Sequence, residues 1–158
     1  MITIRPAVAS ELPLVLRFIQ DLARYEKLLH EVEADEEQLR RALFPDDGRP
    51  VAECLLAFWD GRPAGFAVLY PNFSTFLGRP GLYLEDLFVE PELRHRGIGG
   101  ALLRHCARLA NERGCGRMEW TVLDWNEPAK AAYRALGATE MADWRLCRLT
   151  GPALRRLA

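Results

Sequence analysis

A nearly unbroken apolar run, Leu82-Tyr-Leu-Glu-Asp-Leu-Phe-Val89, leads into Arg94-His-Arg-Gly-Ile-Gly-Gly100 and then into an amphipathic stretch that closes at Gly114. Strand, glycine turn and helix in that order call for a sheet with helices laid on it, because a strand this apolar is covered on both faces. The turn also suits an anion. Glycines leave backbone N–H groups bare, the helix N-terminus adds the positive end of its dipole, and Arg94 and Arg96 add charge. It is not a P-loop, which ends in Gly-Lys-Ser/Thr, and it lacks the third glycine of a dinucleotide fingerprint. The plain alternative is a turn feeding a surface helix, with the arginines merely solvated.

Around this unit the pattern predicts alternating helices and strands. Ser10 is placed to cap a helix whose apolar positions Leu12, Val15, Leu16, Ile19, Leu22 and Ala23 share one face. Asp35 caps a second, short helix reaching Leu43 before Pro45-Asp-Asp-Gly48 breaks it. Val51–Trp59 and Ala64–Tyr70 read as strands joined at Asp60-Gly61, a strong hairpin signal. The third helix runs from Gly97 to Arg113, with Gly114 at its end. Arg117–Leu123 reads as a strand, Asn126 or Glu127 opens a helix to Leu136, and residues 139–150 read as a final hairpin. The expected class is α/β: a mixed, mostly antiparallel sheet flanked by helices in one domain.

At 158 residues and 49% hydrophobic content, the chain suits one sizeable core. A net charge of −1 argues against a nucleic-acid-binding surface. No run reaches membrane-spanning length and no signal-peptide pattern is seen, so a cytoplasmic location without membrane attachment is expected. Cys54, Cys106, Cys115 and Cys147 are scattered, with no Cys-x-x-Cys pair, and are expected to be reduced, mostly buried small hydrophobes rather than metal ligands.

Three segments carry a resemblance: Leu82–Pro91 with the glycine turn, Val122-Leu-Asp-Trp-Asn-Glu-Pro128, and Tyr133-Arg-Ala-Leu-Gly-Ala138. In order and spacing they resemble the signature segments of the GNAT superfamily of N-acetyltransferases, most of all the diamine acetyltransferases and their thialysine-acetylating relatives. Ile4-Arg-Pro-Ala7, Leu22-Ala-Arg-Tyr-Glu-Lys27 and Asp143-Trp-Arg-Leu146 extend the likeness over nearly the whole chain. It implies acetyl-CoA as acyl donor, a small primary amine as acceptor, no metal, direct transfer in a ternary complex, and a homodimer.

The resemblance also implies roles. The pyrophosphate would rest on Arg94, His95, Arg96, Gly97, Ile98, Gly99 and Gly100, and the pantetheine arm would pair with the main chain of Leu87, Phe88 and Val89. Tyr133 would protonate the departing thiolate; a free phenol, with a pKa of about 10, lies close enough to a thiol for that transfer. The other reading of Tyr133 is a ring packed on a helix with a wet hydroxyl. Asn126 serves as helix cap, as coenzyme contact, or as both. Ala129 stands where a diamine acetyltransferase can carry serine, so that side-chain contact is absent.

Glu85 is the expected acceptor of the amine proton, through water, since a carboxylate in an apolar strand is paired or functional. Its alternative is a structural ion pair with an arginine. Strand alternation would turn Asp86 to the opposite face. The resemblance to the diamine acetyltransferases implies that Tyr25 and Glu26 match a substrate-contacting pair, with Glu26 holding a cationic tail, and Trp144 would wall the substrate site or pack in the core. Two further functions stay open on sequence alone: acetylation of a protein lysine or N-terminus, and a non-catalytic acyl-CoA sensor.

Overall fold

The computed structural model describes residues 1–158, which divide into two compact units, Met1–Thr121 and Val122–Ala158. The first unit is built on a sheet of five strands in sequence order: β1 (Ile2–Pro6), β2 (Glu53–Trp59), β3 (Arg62–Ser74), β4 (Arg79–Val89) and β5 (Met118–Glu119). Pairing is antiparallel from β1 to β4 and parallel between β4 and β5. The Asp60-Gly61 turn has φ of 47° and 79°, the left-handed pair that a tight two-residue hairpin requires.

Helix α1 (Leu12–Tyr25) buries Leu12, Val15 and Phe18 on one sheet face, where Phe18 stacks on Phe66 with ring centroids 5.6 Å apart and tilts against Phe88 at 6.0 Å. Ser10 does not cap it. A single 3-10 turn at Ala9–Glu11 precedes the helix, and the Glu11 carboxylate accepts the Val8 N–H at 2.9 Å while gripping Arg5, so the entry is ordered from Glu11 instead. Helix α2 (Glu36–Leu43) starts as read: the Asp35 carboxylate accepts the Gln38 N–H at 2.8 Å, and Gln38 returns a bond to the Asp35 N–H. Helix α3 (Ile98–Glu112) covers the other sheet face through Ile98, Leu102, Leu103, Cys106 and Ala110.

β3 and β4 approach so closely at Gly65 that an added Cβ would sit 2.3 Å from the Phe88 carbonyl oxygen. Gly65→Ala is therefore expected to destabilise the protein by roughly 2 kcal/mol, lowering Tm by about 4–8 °C in a chain of this size. Thermal unfolding followed by circular dichroism checks it; an unchanged Tm contradicts the close approach.

The predicted strand Arg117–Leu123 shrinks to Met118–Glu119, paired only with Leu82 and Tyr83. In the second unit, α4 (Glu127–Ala135) is capped by the Asn126 side chain, which accepts the Ala129 N–H at 3.4 Å, and Gly137 (φ 90°) ends it. The predicted hairpin over 139–150 is absent: these residues form no ladder, and a short helix α5 (Gly151–Arg156) follows. A two-stranded hairpin with no packed face is not stable by itself, and here every side chain from Thr139 to Thr150 is exposed. Cys54 and Cys106 are buried as expected, but Cys147 lies in this segment and is exposed. No helix is long and apolar enough to cross a membrane.

Candidate active site

The site begins with an irregularity in β4. Asp86 pairs with Val68 and Leu84 with Leu69, so Glu85 is left over as the extra residue of a bulge. Val68 and Leu69 lie on opposite faces, and Asp86 therefore shares the face of Val68 and Phe88, the one that α1 covers. The bulge cancels the simple alternation read from sequence: Glu85 and Asp86 are not divided between core faces. Glu85 is exposed, and its charge helps hold the proton on Tyr70, whose phenol is pushed up first by burial and then by that carboxylate.

Asp86 is the desolvated acid. Burial, then the charges of Glu85 and Glu26, push its carboxyl up to about 7. Glu26, just past the end of α1, is itself raised by burial. The expectation that Glu85 is the costly carboxylate thus moves one residue along: the bulge turns Glu85 to solvent and leaves the burial to Asp86. Nothing in a one-dimensional alternation reveals a bulge; the only sequence signal is the pair of adjacent acids. Around them stand Tyr70 and Tyr83, ring centroids 5.1 Å apart, so the surface is aromatic and acidic. Such a surface suits a cationic amine.

Beyond this point β4 has an open edge. Its ladder with β5 stops at Tyr83, and the Glu90 N–H donates to Ala64 O at 2.9 Å. Counting back by alternation, Phe88 bonds toward β3, whereas Leu87 and Val89 turn their peptide groups to the open edge. The Val89 carbonyl there accepts from Arg94 Nε at 3.1 Å. The side chains of Leu87 and Val89 face α3, against Gly99.

At the glycine turn, His95 and Gly97 take positive φ, 61° and 81°, and Gly97 caps α3. The first bond into the helix is from Ala101 N–H to Gly97 O at 2.9 Å, so the amides of Ile98, Gly99 and Gly100 emerge from the helix N-terminus. A Cβ at Gly99 would meet only ordinary contacts, 3.7 Å from Val89 and 3.9 Å from Leu87. The fold leaves room for a side chain there, and glycine instead keeps the backbone bare. These residues fit a diphosphate. The arginines are not simply solvated: the Arg94 guanidinium lies 4.5 Å from the Tyr25 ring centre and 5.8 Å from that of Phe88, and Arg96 lies 5.4 Å from Trp59. Arg94 thus ties Tyr25 to the turn.

The first unit therefore brings together Tyr25, Glu26, Glu85, Asp86, the β4 edge and the glycine turn. The second unit carries Asn126, 9% exposed, Tyr133, half-buried on α4, and Trp144, 75% exposed. No group of three or more His, Cys, Asp or Glu side chains stands where it would hold a metal ion.

Comparison with known proteins gives a consistent result. Residues 16–138 match the Acetyltransferase (GNAT) family. The chain is 38% identical to the thialysine N-epsilon-acetyltransferase of Bos taurus, over 99% of this chain and 97% of that one. It is 45% identical to the L-ornithine N5-acetyltransferase of Arabidopsis thaliana, over 60% of this chain and 41% of that one. An integron cassette protein from the V. cholerae mobile metagenome has the same fold, with a TM-score of 0.79 at 28% identity, covering 99% of this chain and 96% of that one.

Proposed function

Since this chain belongs to the GNAT acetyltransferase family and is an amine N-acetyltransferase, we propose that it acetylates the primary amine of a small cationic substrate, of the lysine, thialysine or polyamine kind. The observation that carries the substrate class is the acidic cluster at the β4 bulge: Asp86 pushed up to about 7, flanked by Glu85 and Glu26. A substrate with a second positive charge relieves the repulsion among these acids, and Glu26 is suited to hold that charge.

Acetyl-CoA, the donor of this family, supplies an activated acetyl group as a thioester. The amides of Ile98, Gly99 and Gly100, with the Arg94–Gly97 turn before them, would hold the diphosphate, and the exposed peptide edge of Leu87 and Val89, with Phe88 between them, would hold the arm. Asp86 takes the proton from the ammonium nitrogen, with Glu85 beside it at the solvent side. Tyr133 keeps its phenolic proton on Oη for the departing sulfur. Asn126, which caps α4, is assigned to coenzyme binding, and Trp144 to amine binding.

Transfer is direct, without an acyl-enzyme. Burial pushes the Cys54 thiol up to about 12 and the Cys106 thiol up to about 11, which leaves neither a competent nucleophile. The family match across residues 16–138 supports reading the chain as one acetyltransferase domain. The exposed apolar side chains Trp144, Leu146 and Leu149 support a homodimer, and four cysteines without a disulfide fit a cytoplasmic enzyme.

The test is coenzyme A release with thialysine, lysine, ornithine, putrescine and spermidine, beside a lysine-containing peptide. Turnover of one or more free amines at least tenfold above the peptide is expected. Turnover confined to peptide, or none with any amine despite coenzyme binding, overturns the reading.

A further inference from the structure

Helix α1 carries Arg17, Asp21 and Tyr25 at four-residue spacing, on one side of the helix, and two of them reach the segment that leads from β4 into the glycine turn. Arg17 Nη1 donates to the Glu90 carboxylate at 2.7 Å, where Glu90 is only 9% exposed, and Asp21 lies 3.6 Å from the same guanidinium. At the end of the helix, the Arg94 guanidinium is bracketed by two rings, 4.5 Å from the Tyr25 centre and 5.8 Å from that of Phe88, while Nε donates to Val89 O at 3.1 Å. Both links are long-range in sequence, so only the fold makes them.

The backbone on each side of the Arg94–Tyr25 contact is fixed locally. Tyr25 is the last residue of α1, and the helix is closed at once: Lys27 takes a φ of 61°, its N–H donates to Arg24 O at 3.1 Å, and Leu28 N–H donates to Ala23 O at 2.8 Å. Glu26, held between Tyr25 and Lys27, therefore moves only with its neighbours. On the other side, Arg94 opens the turn and is followed by His95, also at a φ of 61°. The Arg94 side chain is thus a strut between the segment that presents bare amides and the segment that presents an acid.

We propose that Arg94 is a positioning residue that couples the two substrates: its guanidinium, set in place by the coenzyme-binding turn, holds the Tyr25 ring and so fixes Glu26 for the cationic tail of the amine. The inference rests on the acetyltransferase reading given above. A ligand that grips the turn and a ligand that grips Glu26 then share one link, so each strengthens binding of the other, and by the same factor. Shape carries this link more than charge does. A flat guanidinium stacks on a ring while its Nε bonds a carbonyl, and a lysine ammonium cannot do both in that geometry.

The experiment is calorimetric titration of the full chain with coenzyme A, alone and in saturating thialysine, beside steady-state kinetics with acetyl-CoA and thialysine, each variant being checked for folding by circular dichroism. Native protein is expected to bind coenzyme A roughly fivefold more tightly when thialysine is present, and Arg94→Lys should bring that ratio to about one. The same variant should raise KM for thialysine roughly tenfold with kcat within about threefold of native. Tyr25→Phe, which keeps the ring, should keep the ratio, and Tyr25→Leu should lose it. A ratio of one in native protein overturns the strut while the acetyltransferase reading stands. So does an Arg94→Lys variant that loses coenzyme affinity while its ratio and its KM for thialysine stay native, since the arginine is then an anion contact alone. Coenzyme binding with no turnover of thialysine or any other free amine overturns the acetyltransferase reading, and the strut with it.

Discussion

Asp86→Asn is expected to lower kcat/KM at pH 8 by about 100-fold, the scale of a lost general base, and to abolish the activity limb near neutrality. With a carboxyl pushed up to about 7, roughly one molecule in ten has Asp86 ionised at pH 6 and about nine in ten at pH 8. Only the ionised form accepts a proton. Activity of native protein should therefore climb with pH to a bend near 7, whereas the variant should follow the deprotonation of the amine itself, at higher pH. Glu85→Gln, at the exposed bulge residue, should cost less and shift the bend downward, because one of the two charges that raise Asp86 is gone. A larger loss in Glu85→Gln than in Asp86→Asn would return the role to Glu85. A pH–rate profile of all three proteins decides between them.

The same substitution has a stability signature of opposite sign. The native Asp86 binds its proton up to about 7, against an ordinary value of 3.8. Between those values the native state holds more protons than the unfolded chain, so stability falls as pH rises through that window, and the penalty is complete above it. Asp86→Asn should thus be more stable than native protein at pH 8, by on the order of a few kcal/mol, with the difference closing below about pH 4. A variant that is more stable and less active is the mark of a desolvated carboxylate kept for its chemistry.

Tyr133→Phe carries the other large effect. Removing the phenolic proton while keeping the ring should lower kcat by about 100- to 1,000-fold, with Kd for coenzyme A within about twofold of native. That split separates a proton donor from a packing residue: loss of packing would lower stability and affinity, not kcat alone. If kcat is unchanged, Tyr133 is an ordinary helix tyrosine. Pre-steady-state kinetics with a donor whose leaving thiol is more acidic should partly restore the rate, since a better leaving group depends less on the acid.

Much of the fold was readable because local signals agreed. Helix α3 and its glycine bounds, the Asp60-Gly61 hairpin and the Asp35 and Asn126 caps all rest on interactions within four residues of sequence, where spacing alone sets geometry. Failures came where the partner lay elsewhere. Ser10 lost its cap to Glu11, which Arg5 of β1 holds in place. Residues 139–150 gained no ladder, and β5 shortened to two residues because pairing, not propensity, ends a strand.

Sequence alone determined the glycine turn with its bare amides, the strand and helix that flank it, and the residue types available for proton transfer. Tertiary structure decided which acid is buried, which edge of β4 stays open, and that Arg94 reaches Tyr25. The physical reason is one bulge: an extra residue in β4 leaves the order of amino acids untouched but rotates a carboxylate from water into a low-dielectric face, and burial depends on neighbours that only folding brings.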